Sequence, residues 1–215
     1  SNPRFAPLFS REVRATARLS HPGVIRLYDY GRIPRETAVH SEDRIKEDQP
    51  FLIMEWVGGG TLREQVGLDW NRTRAILLSI LDALSVAHAH DITHRDIKPD
   101  NILLAERGPV VTDFGIALAN ELDPVEARGP ILVGTPNYMA PEQIKAQLRS
   151  VGPWTDLYAV GCLAYALLCG VPPFSRESAV KTLAAHLTDE RPPLRPLMSL
   201  PAGVEAWIHR LLARS

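Results

Sequence analysis

Residues 94 to 101 read His94-Arg95-Asp96-Ile97-Lys98-Pro99-Asp100-Asn101, and Asp113-Phe114-Gly115 follow downstream. Asp96 and Asn101 lie five residues apart, and Asp96 and Asp113 seventeen apart. Carboxylates and a carboxamide supply the hard oxygens that Mg²⁺ takes, usually through one or two side chains completed by substrate phosphates and water. Lys98 adds a positive charge two residues beyond Asp96. Phosphoryl transfer needs that combination, because the moving group spreads negative charge that positioned cations must meet. A lone His-Arg-Asp says little, and the fixed intervals carry the signal. Two blander readings compete with it. Asp and Asn are ordinary turn residues, and His88, His90 and His94 could be surface residues or a metal cluster. Against the cluster, no Cys or acidic partner stands at finger-like spacing around them. His94 reads better as a packed structural histidine.

Further along, Gly134-Thr135-Pro136-Asn137-Tyr138-Met139-Ala140-Pro141-Glu142-Gln143 ends 30 residues after Asp113, with Glu142 at an interval of 29. With the first motif, this stretch resembles the catalytic region of eukaryotic-like (bacterial-type) serine/threonine protein kinases. The resemblance implies a bilobal α+β kinase fold that works on ATP and Mg²⁺. By that resemblance Asp96 orients the incoming hydroxyl and accepts its proton, Lys98 faces the γ-phosphate, and Asn101 and Asp113 hold the metal. Thr135 bonds to the equivalents of Asp96 and Lys98. The Ala-Pro-Glu loop and the position of Lys98 favour Ser/Thr over Tyr as acceptor, on a protein substrate. Small-molecule phosphotransferases lack such a loop. The other class of function is a pseudokinase or interaction module, but a scaffold has no chemical need for Asp96, Lys98, Asn101 and Asp113 together.

Several elements must position these residues. Leu8, Phe9, Val13 and Ala17 recur at helical spacing after Pro7, which predicts a helix ending near Ser20-His21-Pro22-Gly23. Glu12 shares its apolar side, with no base at i±3 or i±4 to pair with. The resemblance makes it the C-helix glutamate that pairs with a strand lysine gripping the nucleotide. Residues 24–30 and 51–57 read as strands; they resemble the fourth and fifth strands of the small lobe. Met54 is then the gatekeeper, and Glu55-Trp56-Val57 the hinge that meets adenine. Leu103 and Lys98 join the nucleotide-binding set. Residues 32–50 read as a polar, mobile surface loop. Gly58-Gly59-Gly60 leads into a helix start at Thr61-Leu62, and Ile76, Ile80, Leu84 and Ala87 give a helix over 72–90 that ends at the catalytic loop.

Residues 157–169 form a nearly all-apolar stretch, which is the mark of a helix buried on every side. Thirteen positions are too few for the roughly 20 that a membrane span needs. It resembles the central helix of the large lobe, where Asp156 holds the backbone near His94 and Arg95. An ordinary helix N-cap is the plainer reading of Asp156, and both can hold. Cys162 and Cys169 stand about 10.5 Å apart along a helix and cannot bridge, so they read as buried thiols of a reducing compartment. Residues 204–213 resemble the penultimate large-lobe helix.

Composition agrees: 45% hydrophobic and 23% charged residues with a formal net charge of −1 give no sign of nucleic acid or membrane as partner. A cytoplasmic setting is the expectation, with any transmembrane tether outside these residues. Twenty of the 24 basic residues are arginine. There are also departures from the family pattern. No Gly-x-Gly-x-x-Gly occurs, and no lysine precedes Lys46. The expectation is a chain cut at both ends, with residues 1–57 as part of a small lobe and 58–215 as a large lobe lacking its last helix. As it stands, such a fragment would be inactive and fray in its small lobe. Residues 116–133 contain no Ser, Thr or Tyr. Arg95 therefore cannot receive a phosphate from that loop, and either Glu121, Asp123 or Glu126 supplies a standing charge or a regulatory partner orders the loop. Simple solvation of those acids is at least as good a reading.

Overall fold

The computed structural model describes residues 13, 15–39, 46–65, 67–114 and 135–214. Glu12, Gly115 and the acids at 121, 123 and 126 lie outside the described residues. Val13, Ala15 and Thr16 are helical, and the chain turns at Ala17 and Arg18 and again at Pro22 and Gly23. Strand β1 (Leu27–Arg32) pairs antiparallel with β2 (Pro50–Met54), in a register that sets Leu27 against Met54 and Arg32 against Pro50.

The expected strand over 24–30 is thus displaced toward its C-terminus. Val24 and Ile25 are claimed by a different neighbour, β4 (Gly108–Val111): Ile25 N–H donates to the Val111 carbonyl at 2.9 Å, and Val111 N–H to the Gly23 carbonyl at 2.8 Å. The polar stretch 32–50 is not all irregular, since a short helix α1 (Arg35–Val39) forms within it. Thr61 leads into a single 3₁₀ turn, Leu62–Glu64, rather than an α-helix.

Helix α2 (Trp70–Ala89) starts where the Asp69 carboxylate accepts the Arg72 N–H at 2.7 Å, satisfying a donor left over in the first turn. Its buried face is Thr73, Ile76, Leu77, Ile80, Ala83, Leu84 and Ala87, a run of threes and fours. Each fully buried Ile or Leu contributes ~1.5–3 kcal/mol, so this stripe outweighs the weak intrinsic helix preference of the Thr, Ser and His residues among it. Beyond the catalytic stretch, β3 (Ile102–Ala105) and β4 form a tight hairpin. Helix α3 (Pro141–Ile144) is one turn long, and α4 (Pro153–Cys169) is the buried axis. Helix α5 (Ala179–Thr188), capped by Ser178, and α6 (Val204–Leu211) complete the fold.

Helix α4 is apolar all round because it is covered all round. Val160, Cys162, Leu163, Ala164 and Leu168 are fully buried in one cluster with α2, Ile97, Ile102 and Ile208. Burial drives the Cys162 thiol far above its ordinary range, leaving it an inert packing group. Pro153 opens the helix in the first turn and Gly170, at φ +77°, closes it in the left-handed conformation that a glycine adopts without strain. Leu19 and Val24 belong to this main cluster, whereas Val13 packs with Leu27, Tyr30 and Leu52 in a small satellite.

Candidate active site

Asp156, in the first turn of α4, is fully buried and organises the catalytic stretch. One carboxylate oxygen accepts the His94 N–H at 2.9 Å and the His88 Nε2 at 2.7 Å, and the other accepts the Arg95 N–H at 2.7 Å. Arg95 sits at φ +70°, a conformation costly for a residue with a side chain. The backbone is held there because both amides at the bend point into one buried carboxylate. Gly152, not Asp156, is the helix N-cap.

His94 is buried, and both its ring nitrogens are used. Nε2 lies 2.7 Å from the Thr112 carbonyl and must donate to it, while Nδ1 accepts the Asp96 N–H at 3.2 Å. Those two partners fix its tautomer. The Phe114 ring lies 4.6 Å away at a 54° tilt. In this way His94 ties the segment carrying Asp96 to the one carrying Asp113. His88, bonded to Asp156, and His90, bonded to the Val86 carbonyl at 2.8 Å, each have separate partners.

The structure brings Asp96, Lys98, Asn101 and Asp113 together. Lys98 Nζ donates to Asp96 Oδ2 at 2.6 Å. Asn101 Nδ2 donates to the same oxygen at 3.0 Å and to the Asp96 carbonyl at 2.8 Å, which leaves the Asn101 Oδ1 as an unused acceptor among the described residues. Asp113, at φ +64°, is raised above the usual carboxylate range, first by burial, with the Asp96 charge adding to it and His94 and Lys98 opposing. A half-buried carboxylate without a hydrogen-bond donor among the described residues, beside a free amide oxygen, is the donor set of a hard divalent cation. No group of three or more His, Cys, Asp or Glu side chains converges among the described residues. Two oxygens suffice, however, for Mg²⁺ completed by phosphates and water. The residues present therefore fit Mg²⁺ carried by a nucleotide.

Along the expected nucleotide edge, Met54 ends β2 with its sulfur 3.9 Å from the Thr112 hydroxyl. Glu55 N–H donates to the Arg26 carbonyl at 2.9 Å. Its side chain turns away to accept the Arg26 N–H at 2.9 Å and Arg107 Nη2 at 2.5 Å. Burial opposes the charge on Glu55, but those donors and the Arg107 charge outweigh it and hold the carboxyl below its usual range. Trp56 is 92% exposed. Val57 begins the turn through Gly58-Gly59-Gly60, which is stitched to β3: Leu104 N–H donates to the Gly60 carbonyl at 3.0 Å, and Thr61 bridges Leu103. A Cβ at Gly59 would sit 1.9 Å from the Leu104 carbonyl oxygen, so only glycine permits this approach. Leu103 is thereby placed between the glycine turn and the segment carrying Asp96, and it is half-buried. Glu12 lies outside the described residues.

Thr135 caps the 3₁₀ turn Pro136–Tyr138 and makes no hydrogen bond to Asp96 or Lys98 among the described residues, where Lys98 is occupied by Asp96. Glu142 is buried and accepts the Thr155 hydroxyl at 2.5 Å. Gln143 donates through Nε2 to the Arg95 carbonyl at 2.8 Å and accepts the Ala140 N–H at 3.1 Å, which binds the start of α3 to the segment carrying Asp96. Sequence reading gave Gln143 no role, nor His88, nor the bidentate pair of Arg63 with Asp100. An Asp100 beside Lys98 was visible in the sequence, but no spacing rule pairs it with an arginine 37 residues upstream.

The protein kinase domain family matches residues 6–207. The chain is 36% identical over 220 residues to serine/threonine-protein kinase PknA of Mycobacterium tuberculosis, covering 100% of this chain and 48% of that protein. It is 37% identical over 217 residues to serine/threonine-protein kinase Pkn1 of Myxococcus xanthus, covering 98% and 29% respectively. With serine/threonine-protein kinase pkn3 of the same organism it shares 34% over 230 residues, 100% of this chain and 40% of the relative. The chain spans less than half the length of these curated relatives.

Proposed function

The chain belongs to the protein kinase domain family, and from that premise we propose that the natural protein carrying it transfers the γ-phosphoryl group of ATP to Ser or Thr hydroxyls of proteins. The carrying observation is Asp96: its carboxylate is fixed by Lys98 at 2.6 Å and Asn101 at 3.0 Å, on a backbone clamped by Asp156. Mg²⁺-ATP, when bound, supplies the phosphoryl group and the charge that neutralises it. Asp96 orients the acceptor hydroxyl and takes its proton. Lys98 meets phosphate charge from beside Asp96, while Asn101 and Asp113 present the metal's oxygens. Met54, Glu55, Val57 and Leu103 line the adenine end, and Glu12 completes the set by resemblance.

Residues 1–57 are assigned to the small lobe and 58–215 to the large lobe. Among the described residues no helix is long and apolar enough to cross a membrane. Free Cys162 and Cys169, together with a need for ATP, fit the cytoplasm. An acidic loop or partner opposite Arg95 stays part of this reading.

The test is phosphate incorporation into a Ser/Thr peptide by the natural protein, with Asp96→Asn as control. Loss of a positioned base is expected to lower transfer about 100-fold or more while the circular dichroism spectrum is unchanged. Undiminished transfer by the variant would remove Asp96 from the chemistry. A folded wild type that binds nucleotide but transfers nothing would make this a binding module.

A further inference from the structure

Arg107 stands with Glu106 in the turn between β3 and β4, and nothing in the transfer chemistry uses it. Its guanidinium nevertheless joins three segments. The Nε donates to the Pro22 carbonyl at 2.9 Å, and Nη2 donates to Glu55 Oε1 at 2.5 Å. That same Glu55 oxygen accepts the Arg26 N–H at 2.9 Å. The pair is lopsided in its exposure: the arginine side chain is 41% exposed and the glutamate only 14%. A cavity of about 690 Å³ lies alongside, lined by Arg18, Arg26, Glu55 and Arg107 among others, so the carboxylate has room to turn if its partner is lost.

The hinge segment 55–60 is fastened to the β3–β4 hairpin at both ends, by different means. At the glycine end the ties are backbone: Leu104 N–H donates to the Gly60 carbonyl at 3.0 Å, and Thr61 bridges Leu103. No change of side chain removes those bonds. At the Glu55 end Arg107 makes the tie, and it is a side chain. Glu55 is also bonded through its own N–H to the Arg26 carbonyl, but that holds it to the start of β1 rather than to the hairpin. Burial opposes the Glu55 charge, and the Arg26 N–H and Arg107 are the counterweights; without Arg107 one of the two is gone. An ion pair with one partner this exposed adds little to global stability. Two charge-assisted bonds from one planar fork do, however, fix geometry, and here they fix the hairpin turn against Glu55 and Pro22 at once.

We propose that Arg107 is a positioning residue for the nucleotide: by tying the β3–β4 turn to Glu55 and to the Pro22 carbonyl, it sets the spacing between the two walls of the adenine slot, Glu55 to Val57 on one side and Leu103 on the other. This rests on the kinase reading above. Leu103 lies four residues before Arg107 on the same hairpin, so the arginine that grips one wall is carried by the other. Arg107 acts only through Glu55 and Pro22. Loss of the tie therefore loosens the adenine end and leaves Asp96, Lys98, Asn101 and the peptide side as they were.

The experiment uses the full natural protein, ATP and a phosphorylatable Ser/Thr peptide. Arg107→Ala is expected to raise the ATP KM about fivefold, the upper end for an ion pair of this exposure, with kcat and the peptide KM unmoved. Inhibition by adenosine, which carries no phosphates, is expected to weaken by the same factor. Arg107→Lys keeps a charge for Glu55 but cannot also reach Pro22, and is expected to recover part of the loss; it carries the test if the Ala variant does not fold. In a Glu55→Gln background, Arg107→Ala is expected to move the ATP KM far less than in wild type, because the partner's charge is already gone. An unchanged ATP KM, a rise shared equally by the peptide KM, or undiminished inhibition by adenosine overturns the proposal. So does a rise of the same size in the Glu55→Gln background, which would show Arg107 acting elsewhere. A wild type that binds ATP without transferring phosphate sinks the kinase reading alone, and the ATP Kd then decides this role in place of KM. A wild type that binds no ATP sinks both.

Discussion

At the scale of residues, Asp156 shows why a buried charge is retained in an apolar helix. Its carboxylate answers three donors, two of them backbone amides at a bend that no helix or sheet could satisfy. Asp156→Ala strands those amides in the interior, and at ~1–3 kcal/mol for each unsatisfied donor the expected loss is about 3 kcal/mol in a urea melt. Asp156→Asn keeps one acceptor oxygen and is expected to lose less; equal losses would mean that charge, not acceptor count, holds the bend. His186 offers a second test through pH. Its folded pKa of about 4 lies below the ordinary 6.5, so as pH falls the unfolded chain binds a proton first. Stability from this group is therefore complete above about pH 6.5 and lost as pH falls toward about 4, a difference of ~3 kcal/mol. His186→Gln is expected to lose correspondingly less stability than wild type between pH 7 and 4.5, and parallel curves would show that the ring is not held neutral. Asp96, Lys98, Asn101 and Asp113 were legible in the sequence because their intervals come from one short stretch and one nearby turn. Gln143 and His186 were not, because their partners, Arg95 and Tyr158, are 48 and 28 residues away and reach them only through tertiary packing.

Among the elements, those legible in the sequence were the ones whose periodicity matches their burial. The apolar run of α4 and the stripe of α2 are set by burial alone, and only their ends shifted, to Pro153 and Trp70. The hairpin of β3 and β4 escaped notice because it is two four-residue strands joined by a turn at Glu106 and Arg107, too short to show alternation. Residues 24–25 read as strand yet bond to β4 instead of continuing β1, a choice between neighbours that local sequence does not encode. The contact between α4 and α6 can be tested at Gly161. A Cβ there would lie 2.8 Å from the Leu211 Cβ and 3.3 Å from the Leu212 Cγ. Better helix preference for Ala favours the change by ~1 kcal/mol, but a clash between two atoms fixed to helix backbones cannot be relieved by a rotamer. Overpacking that cannot relax costs the upper part of about 1–3 kcal/mol, so Gly161→Ala is expected to lower stability by ~1–2 kcal/mol in thermal or urea melts. A variant as stable as wild type would mean that α6 slides freely on α4.

For the whole molecule, the question is which parts open together. The connection at Val57 suggests a division there, yet Leu19 and Val24 belong to the same core as α2 and α4. Ile25 N–H donates to the Val111 carbonyl and Val111 N–H to the Gly23 carbonyl, which ties residues 23–25 to that core's own hairpin. By contrast, no residue of β1 or β2 is fully buried, and Tyr28 and Ile53 are 62% and 47% exposed on the pair's outer side. Two strands over a satellite of Val13, Leu27, Tyr30 and Leu52 bury little, and an isolated pair of strands is marginal in water. In a chain of these 215 residues the cooperative boundary is therefore expected between Ile25 and Leu27, inside what sequence reading treated as a single strand. Amide exchange is the measurement. The N–H groups of Ile25 and Val111 are expected to exchange with the slow group of Val160 to Leu163, and those of β1 and β2 at least about 100-fold faster, through local opening. Exchange of Leu52 and Ile53 as slow as that of Val160 would show the hairpin and the helical core opening as one unit, and would move the boundary out of the described residues altogether.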